Sequence, residues 1–351
     1  MTPAAIRTRL RGLAAEAGFD DCRVAAAAKA PHGEAFRRWL ADGCQGTMGW
    51  MARDPERRAD PRLVLPGCRS VVALALNYYP GPRPPGPAQP SGRIARYAWG
   101  DDYHDLILPR LRALAAALEE LGGTQKCYTD TGPVLERDFA SRAGLGWNGK
   151  STLQIHPALG TWFFLGVILT TLQVEPDEPA RDRCGRCARC LAACPTGAIT
   201  APHQLDARRC LSYLTIEHKG PIPVAMRPLV GDRIYGCDDC LEACPWNRFA
   251  RVAREAAFHA RPAIFALGLR GLLGLDDAAF QSLFHGSPIR RLKHPRFQRN
   301  VCVALGNAGT PDDLPALRHA AAAPDPLVAE HAEWAVATIA RRGTGPAGSA
   351  S

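Results

Sequence analysis

The sequence predicts an α/β domain, then a loop-rich cysteine module, then an all-helical end. Three observations predict it. Strand-like and helix-like patterns alternate over the first half of the 351 residues. Eight of the 13 cysteines crowd between residues 183 and 250. Beyond about residue 255 only helical periodicity remains. The expected boundaries are 1–175, 176–255 and 256–342, with 343–351 ("GTGPAGSAS") as a disordered tail.

The elements follow in order. "MTPAAIRTRLRGLAAEAGFD" reads as an amphipathic helix, and "SVVALALNYY" as a strand. Pro80–Gly92, rich in Pro and Gly, can be neither helix nor central strand and is expected as a long surface loop. "YHDLILPRLRALAAALEELGG" has apolar residues at three-to-four spacing and ends on two glycines, so it reads as a helix, although Pro109 falls in its first turns. "QKCYTD" reads as a short strand, "GPVLERDFASRAG" as a helix, and "TLQIH" and "TWFFLGVILTTL" as strands. "EPDEPARDR" is a polar linker. The stretch from "RFQRNVCVALGNAG" to "VATIARR" reads as short antiparallel helices.

The composition is that of an ordinary globular chain, 46% hydrophobic and 22% charged. No apolar run reaches the length of a membrane span, and the N-terminus lacks a signal-peptide pattern, so a cytoplasmic protein is expected. With 43 Lys+Arg against 34 Asp+Glu, a polyanionic partner is permitted but not required. An odd number of clustered cysteines in such a chain argues for metal or redox chemistry rather than a disulfide framework.

Cys184, Cys187, Cys190 and Cys194, followed by Pro195, spell C-x2-C-x2-C-x3-C-P, the spacing of bacterial ferredoxins. Three thiolates on one tight loop cover three corners of a cubane, and the fourth points to another cluster. Cys237, Cys240, Cys244 and Pro245 repeat the end of the run, with Ile234 where a first cysteine would stand. Paired C-x2-C spacing can also hold zinc, but two copies of the longer run favour two [4Fe–4S] clusters. Two cubanes need eight thiolates, the runs supply seven, and Cys210 lies between them. The spacing therefore assigns Cys184, Cys187, Cys190 and Cys244 to one cluster and Cys194, Cys210, Cys237 and Cys240 to the other. Cys22, Cys44, Cys68, Cys127 and Cys302 are expected to be small buried hydrophobes.

Two motifs are refused. "GLGWNGKS" (Gly144–Ser151) matches both G-x-G-x-x-G and G-x-x-x-x-G-K-[ST]. Its context is wrong, because a helix precedes it and a strand follows, leaving no helix N-terminus for phosphates. A tight glycine turn is expected instead. Asp102-Tyr103-His104 resembles the start of a cobalt-ligating D-x-H-x-x-G, but Ile107 replaces the glycine, and His104 reads as a helix-start residue.

Taken together, "RIARYAWGDDYHDLIL", "YTDTGPVLERDFASRAGLGWNGKS", both cysteine runs and "RRCLSYLTIEHKG" resemble the epoxyqueuosine reductase family over residues 1 to 340. The resemblance implies an α/β cobalamin-binding domain, a ferredoxin-like two-[4Fe-4S] module and C-terminal all-α HEAT-like helices. It also implies a reaction: epoxyqueuosine at the tRNA wobble position loses its epoxide oxygen, consuming two electrons and two protons. An unidentified reductant, no membrane association and a monomer are expected.

By the same resemblance Asp130 is the proton donor; the other reading makes Asp130 or Thr131 the cap of the following helix. Cobalamin contacts fall on Arg58, Asp130, Gln154, Leu165, Ser212 and Asp238. Some members carry a cysteine where this chain has Ala95. Arg137 corresponds to a position near the substrate, and Arg290, Arg291 and Lys293, in "IRRLKHPRFQRN", are expected on tRNA phosphates. Two other readings use the same residues. A dehalogenase-like corrinoid reductase of a small molecule is disfavoured by the basic C-terminal region. A ferredoxin-like carrier without chemistry of its own would not need the large α/β domain.

Overall fold

The computed structural model describes residues 1–85 and 90–343. The tail beyond Gly343 and residues 86–89 of the long loop lie outside the described residues. The chain divides into two compact units. One holds residues 1–81, 101–208 and 239–259, and the other 82–100, 209–238 and 260 onward. The stretch expected as one cysteine module, 176–255, is shared between them, as is 1–175.

The first unit is built on four strands, β1 (Asp21–Ala26), β2 (Ser70–Asn77), β3 (Gln125–Tyr128) and β4 (Phe163–Thr170), in the order β1-β2-β4-β3. All three pairings are antiparallel, with Asp21 opposite Ala75, Ser70 opposite Thr170 and Gln125 also opposite Thr170. No two neighbouring strands run parallel, but β2 and β3, which flank β4, do, and α2 connects them. β1 was not expected as a strand, and "TLQIH" contributes only Gln154–Ile155, outside this sheet.

Every residue of β2 is buried, as a strand covered on both faces requires. Val71, Ala73 and Ala75 share one face with Phe139, Ala140 and Ala143. The last three lie on or just beyond α3 (Glu136–Arg142). Helices α1 (Pro3–Glu16) and α2 (Tyr103–Glu119) form as expected. Thr2 caps the first through its hydroxyl, and Asp102 caps the second by accepting from the His104 amide at 3.0 Å. α2 lies so close to β4 that a Cβ on Gly166 would sit 2.9 Å from Leu111.

The glycine-rich segment is a turn, as expected. Trp147–Asn148 pairs antiparallel with Gln154–Ile155, and the Gly149 amide donates to the Leu153 carbonyl at 2.8 Å. A Cβ on Gly146 would stand 2.2 Å from the Ile155 carbonyl oxygen, so only glycine fits. The apolar run Thr161–Leu172 supplies β4. Among the described residues no helix is long and apolar enough to cross a membrane.

The second unit contains α4 (Leu211–Ile216), α5 (Lys293–Ala308), α6 (Leu314–Ala321) and α7 (Pro326–Gly343). One apolar cluster joins Phe297, Val301, Cys302 and Leu305 to Phe280, Phe284, Leu317 and Ala332. α5 meets α7 where a Cβ on Gly306 would lie 2.4 Å from the Trp334 ring. Arg233–Tyr235 pairs in parallel with Arg93–Ile94.

Candidate functional site

The first cysteine run begins as an open loop and tightens into the short helix Arg189–Ala192, which packs against Asp239–Glu242. Asp182 accepts from the Cys184 amide at 2.7 Å, and the Cys187 amide donates to the Cys184 carbonyl at 3.0 Å. Lys150, the lysine of the refused phosphate motif, holds this loop instead: its ammonium donates to the Gly185 carbonyl at 2.6 Å and the Cys187 carbonyl at 3.0 Å.

Cys244 arrives from far along the chain. Its thiol is pushed up by burial and then by the charges of Cys184, Cys190 and Cys187. Cys190 is raised by burial and by Cys184 and Cys187. The four residues assigned to one cluster by spacing are therefore neighbours, a donor set that fits a thiolate-ligated iron–sulfur group.

Cys194 stands in a different setting. Burial would raise it, but amide donors at Ile199, Thr196 and Ala198 and the Thr196 hydroxyl more than offset that and lower it. The Ala198 amide reaches its sulfur at 3.2 Å. Hydrogen bonds of this kind to a sulfur suit a metal-bound thiolate. Cys194 and Cys240 belong to the first unit, and Cys210 and Cys237 to the second; Cys210 is the N-cap residue of α4. Among the described residues no three His, Cys, Asp or Glu side chains converge as a single metal ion requires. Cys22, Cys68 and Cys302 are buried as expected, whereas Cys44 and Cys127 keep some surface.

A second constellation forms around Asp130. Its backbone has φ +64°, a left-handed conformation uncommon for a residue with a side chain. Glu136 holds that loop: its Oε1 accepts from the Asp130 amide at 2.9 Å. The helix-cap reading fails, because α3 begins only at Glu136, with Leu135 as N-cap and no side-chain cap. The Asp130 side chain is 64% exposed, available to a ligand. Its Oδ2 accepts from the Tyr103 hydroxyl at 2.8 Å and lies 4.0 Å from His104 Nε2.

Tyr103 is fixed by stacking on Phe164, with ring centroids 4.2 Å apart. His104 is fixed by Asp102, 2.8 Å from its Nδ1. Tyr103, His104 and Glu136 were not singled out as site residues from the sequence. Glu136 is raised to about 8 by burial and by the negative Asp130 beside it, with Arg137 and Arg58 pulling the other way.

Arg58 donates to the Gly132 carbonyl at 3.2 Å and the Trp50 carbonyl at 3.0 Å, and burial lowers it against the Glu136 and Asp130 charges. Arg137 is spent on the Thr152 carbonyl. Gln154 is buried and bonded to Ser141 at 3.2 Å. The Leu165 carbonyl accepts from Thr129 at 2.9 Å. Eight polar side-chain atoms among the described residues of this unit are buried without a hydrogen-bond partner, and Arg58 Nε, His104 Nε2, Trp147 Nε1 and Asn148 Oδ1 are among them. Such atoms are costly unless a bound group satisfies them, which fits a large polar cofactor. A depression of about 410 Å³ between α2 and β3 includes Thr131 but none of the residues expected at the cofactor.

In the second unit, Asp238 is buried and accepts from the Arg96 amide at 2.7 Å, and Ser212 lies on α4, half-buried. Of the basic C-terminal stretch, Arg290 pairs with Gln281 and Arg291 with Glu217, while Lys293 is exposed. Two arginines of that stretch face inward instead. Arg296 donates to the Ile216 and Leu292 carbonyls. Arg299, fully buried, donates to Leu214, His218 and Gly220 carbonyls between 2.7 and 2.9 Å.

Residues 58–131 match the family model described as "Epoxyqueuosine reductase QueG, DUF1730", and residues 183–247 match a "4Fe-4S double cluster binding domain". Over 344 residues the chain is 44% identical to the epoxyqueuosine reductase of Xanthomonas campestris pv. campestris, covering 95% of this chain and 96% of that one. The chain belongs to the epoxyqueuosine reductase family. Its counterpart in Escherichia coli K12 is 40% identical over 307 residues, 86% of this chain and 81% of that one.

Among solved structures, an epoxyqueuosine reductase in complex with an epoxyqueuosine-modified tRNA stem loop superposes with a TM-score of 0.88 at 31% identity, covering 96% and 91% of the two chains. One from Bacillus subtilis, with its catalytic aspartate loop swung out of the active site, matches equally well. As an epoxyqueuosine reductase the chain is an oxidoreductase. The segment matching the double-cluster model holds all eight cysteines of the two assigned sets.

Proposed function

We propose that the chain removes the epoxide oxygen from epoxyqueuosine in the anticodon loop of tRNA, with Asp130 as proton donor and cobalamin as its second cofactor. The observation that carries this reading is the exposed Asp130 carboxyl, held in a left-handed loop by Glu136 and bonded to Tyr103. Bound cobalamin would supply a low-valent cobalt for cleaving the carbon–oxygen bonds. The chain's own residues do the acid–base work. Two electrons and two protons convert epoxide to alkene and water, and an acid within hydrogen-bond reach of the departing oxygen lowers the barrier.

Asp130 is placed for that donation. The Tyr103 hydroxyl orients its carboxyl and stabilises the carboxylate left after transfer. His104, oriented by Asp102, directs Nε2 toward the same carboxyl and is placed to return a proton. Arg58, Gln154 and Leu165 share the unit of Asp130, in keeping with their assignment to the cofactor. One [4Fe–4S] cluster is assigned to Cys184, Cys187, Cys190 and Cys244, and the second to the remaining four cysteines on spacing.

Exposed Lys293, with Arg290 and Arg291, supplies charge for tRNA phosphates, on helices read as HEAT-like and in a protein read as cytoplasmic. In support, a relative at 31% identity was solved with a modified tRNA stem loop. The test is anaerobic incubation of the reconstituted protein with epoxyqueuosine tRNA, a strong reductant and cobalamin, followed by weighing the nucleosides. Loss of one oxygen only when cobalamin is present supports the reading; an unchanged nucleoside, with both cofactors verified, overturns it.

A further inference from the structure

The first cysteine loop carries more positive charge than the chain uses. Arg181, Arg183, Arg186 and Arg189 lie within nine residues and are all exposed. None of the four has an ion pair or side-chain hydrogen bond among the described residues. The Lys150 ammonium is anchored beneath the same loop. The acids nearby are engaged: Asp182 accepts from the Cys184 amide, and Asp239 and Glu242, on the helix packed against this loop, have partners of their own.

An aromatic contact follows Cys244 in the chain. Phe249, five residues after Cys244, is 41% exposed. The Arg248 guanidinium lies 4.6 Å over its ring, and Trp246 is 5.6 Å away. Arginines beside an exposed aromatic are the composition of an interaction surface. Cys184, Cys187 and Cys190 are themselves only half-buried, so this is a face at which an electron can enter from outside.

We propose that this face, with Arg181, Arg183, Arg186, Arg189 and Phe249 as its contacts, docks an acidic one-electron carrier protein. The inference rests on the assignment of a cluster to Cys184, Cys187, Cys190 and Cys244. In each encounter the carrier is oxidised by one electron and the cluster reduced by one, so two encounters supply one epoxide reduction. Complementary charge speeds such encounters by about 10- to 1,000-fold at low salt. A tRNA phosphate backbone is the other polyanion that could meet the arginines, but it accounts for neither their placement on the ligand loop nor the exposed ring.

The test is stopped-flow bleaching of the clusters in the full-length reconstituted protein, by flavodoxin hydroquinone or by reduced methyl viologen, a small cation. In the triple variant Arg183→Gln, Arg186→Gln, Arg189→Gln the flavodoxin rate constant is expected to fall at least tenfold at low salt and to lose most of its salt dependence. The viologen rate should hold or rise, and affinity for the modified stem loop should not change. Phe249→Ala, which leaves the charge alone, should slow the flavodoxin step without altering its salt slope. Flavodoxin reduction of the triple variant at the native rate would overturn the proposal. So would an equal slowing with viologen, which would show that the arginines only tune the cluster. Loss of stem-loop affinity with an intact flavodoxin rate would assign the face to RNA. Failure of viologen to bleach the native protein would instead remove the cluster assignment itself, and the proposal with it.

Discussion

In the function proposed above the cysteine loop and the Asp130 loop serve two halves of one reduction, and they are built in opposite ways. From Cys184 to Cys190 the donors sit on a single short stretch of loop and first helical turn, and only Cys244 and Lys150 come from elsewhere. Around Asp130 the partners come from several separate stretches of chain: Arg58 ahead of β2, Tyr103 and His104 at the start of α2, and Glu136 at the start of α3. A ligand set for a rigid inorganic cluster can be written as a local spacing. A proton donor must be poised by its surroundings, and those are assembled only by the fold.

If the comparison holds, damage to the cysteine group should be severe and registered in iron, while damage around Asp130 should be graded and registered in rate. The largest expected effect is that of Cys244→Ala. Iron content should fall by about half, since one cubane loses its fourth thiolate; native iron in that variant would separate Cys244 from Cys184, Cys187 and Cys190. Next comes Arg299→Met. It leaves the Leu214, His218 and Gly220 carbonyls without their donor in a buried site, which should cost about 3 kcal/mol in denaturant unfolding. An unaltered midpoint would show that water replaces the guanidinium.

Tyr103→Phe should lower turnover about tenfold, the loss of one hydrogen bond to a charged group, with iron unchanged. The smallest effect on turnover is expected from Glu136→Gln, which keeps the oxygen that accepts from the Asp130 amide. An acid raised in the folded state binds more protons folded than unfolded, so it costs stability as pH rises from its ordinary value of 4.5 to about 8. The variant should match the native protein in thermal unfolding near pH 4 and exceed it at pH 8; parallel curves would deny the shift.

The same contrast explains what was legible in the sequence. The cysteine runs were readable because their spacing is local, β2 because it is an unbroken apolar run, and α2 and the helical end because their periodicity is strong. The refusal of the phosphate motif held because a strand, Gln154–Ile155, follows the glycines. The antiparallel order of the sheet was not readable: pairing of Ser70 with Thr170 is set by packing, and β1, "DCRVAA", is short and weakly patterned. Nor could the left-handed turn at Asp130 be seen, since an aspartate carries no glycine-like signal for it. Tyr103 and His104 read as the start of a helix, which they are; their reach to Asp130 is tertiary. Arg296 and Arg299 looked like surface charge, because sequence does not say which basic residues of a helix turn inward to satisfy another helix's carbonyls.

The most direct test of Asp130 as proton donor is a single-turnover measurement on pre-reduced Asp130→Asn protein loaded with both cofactors and epoxyqueuosine stem loop. The account predicts native rates of reduction by viologen, native binding of the stem loop and deoxygenation slowed by at least about 100-fold. Deoxygenation at the native rate would show that another group protonates the epoxide oxygen, and would contradict the role assigned to this loop.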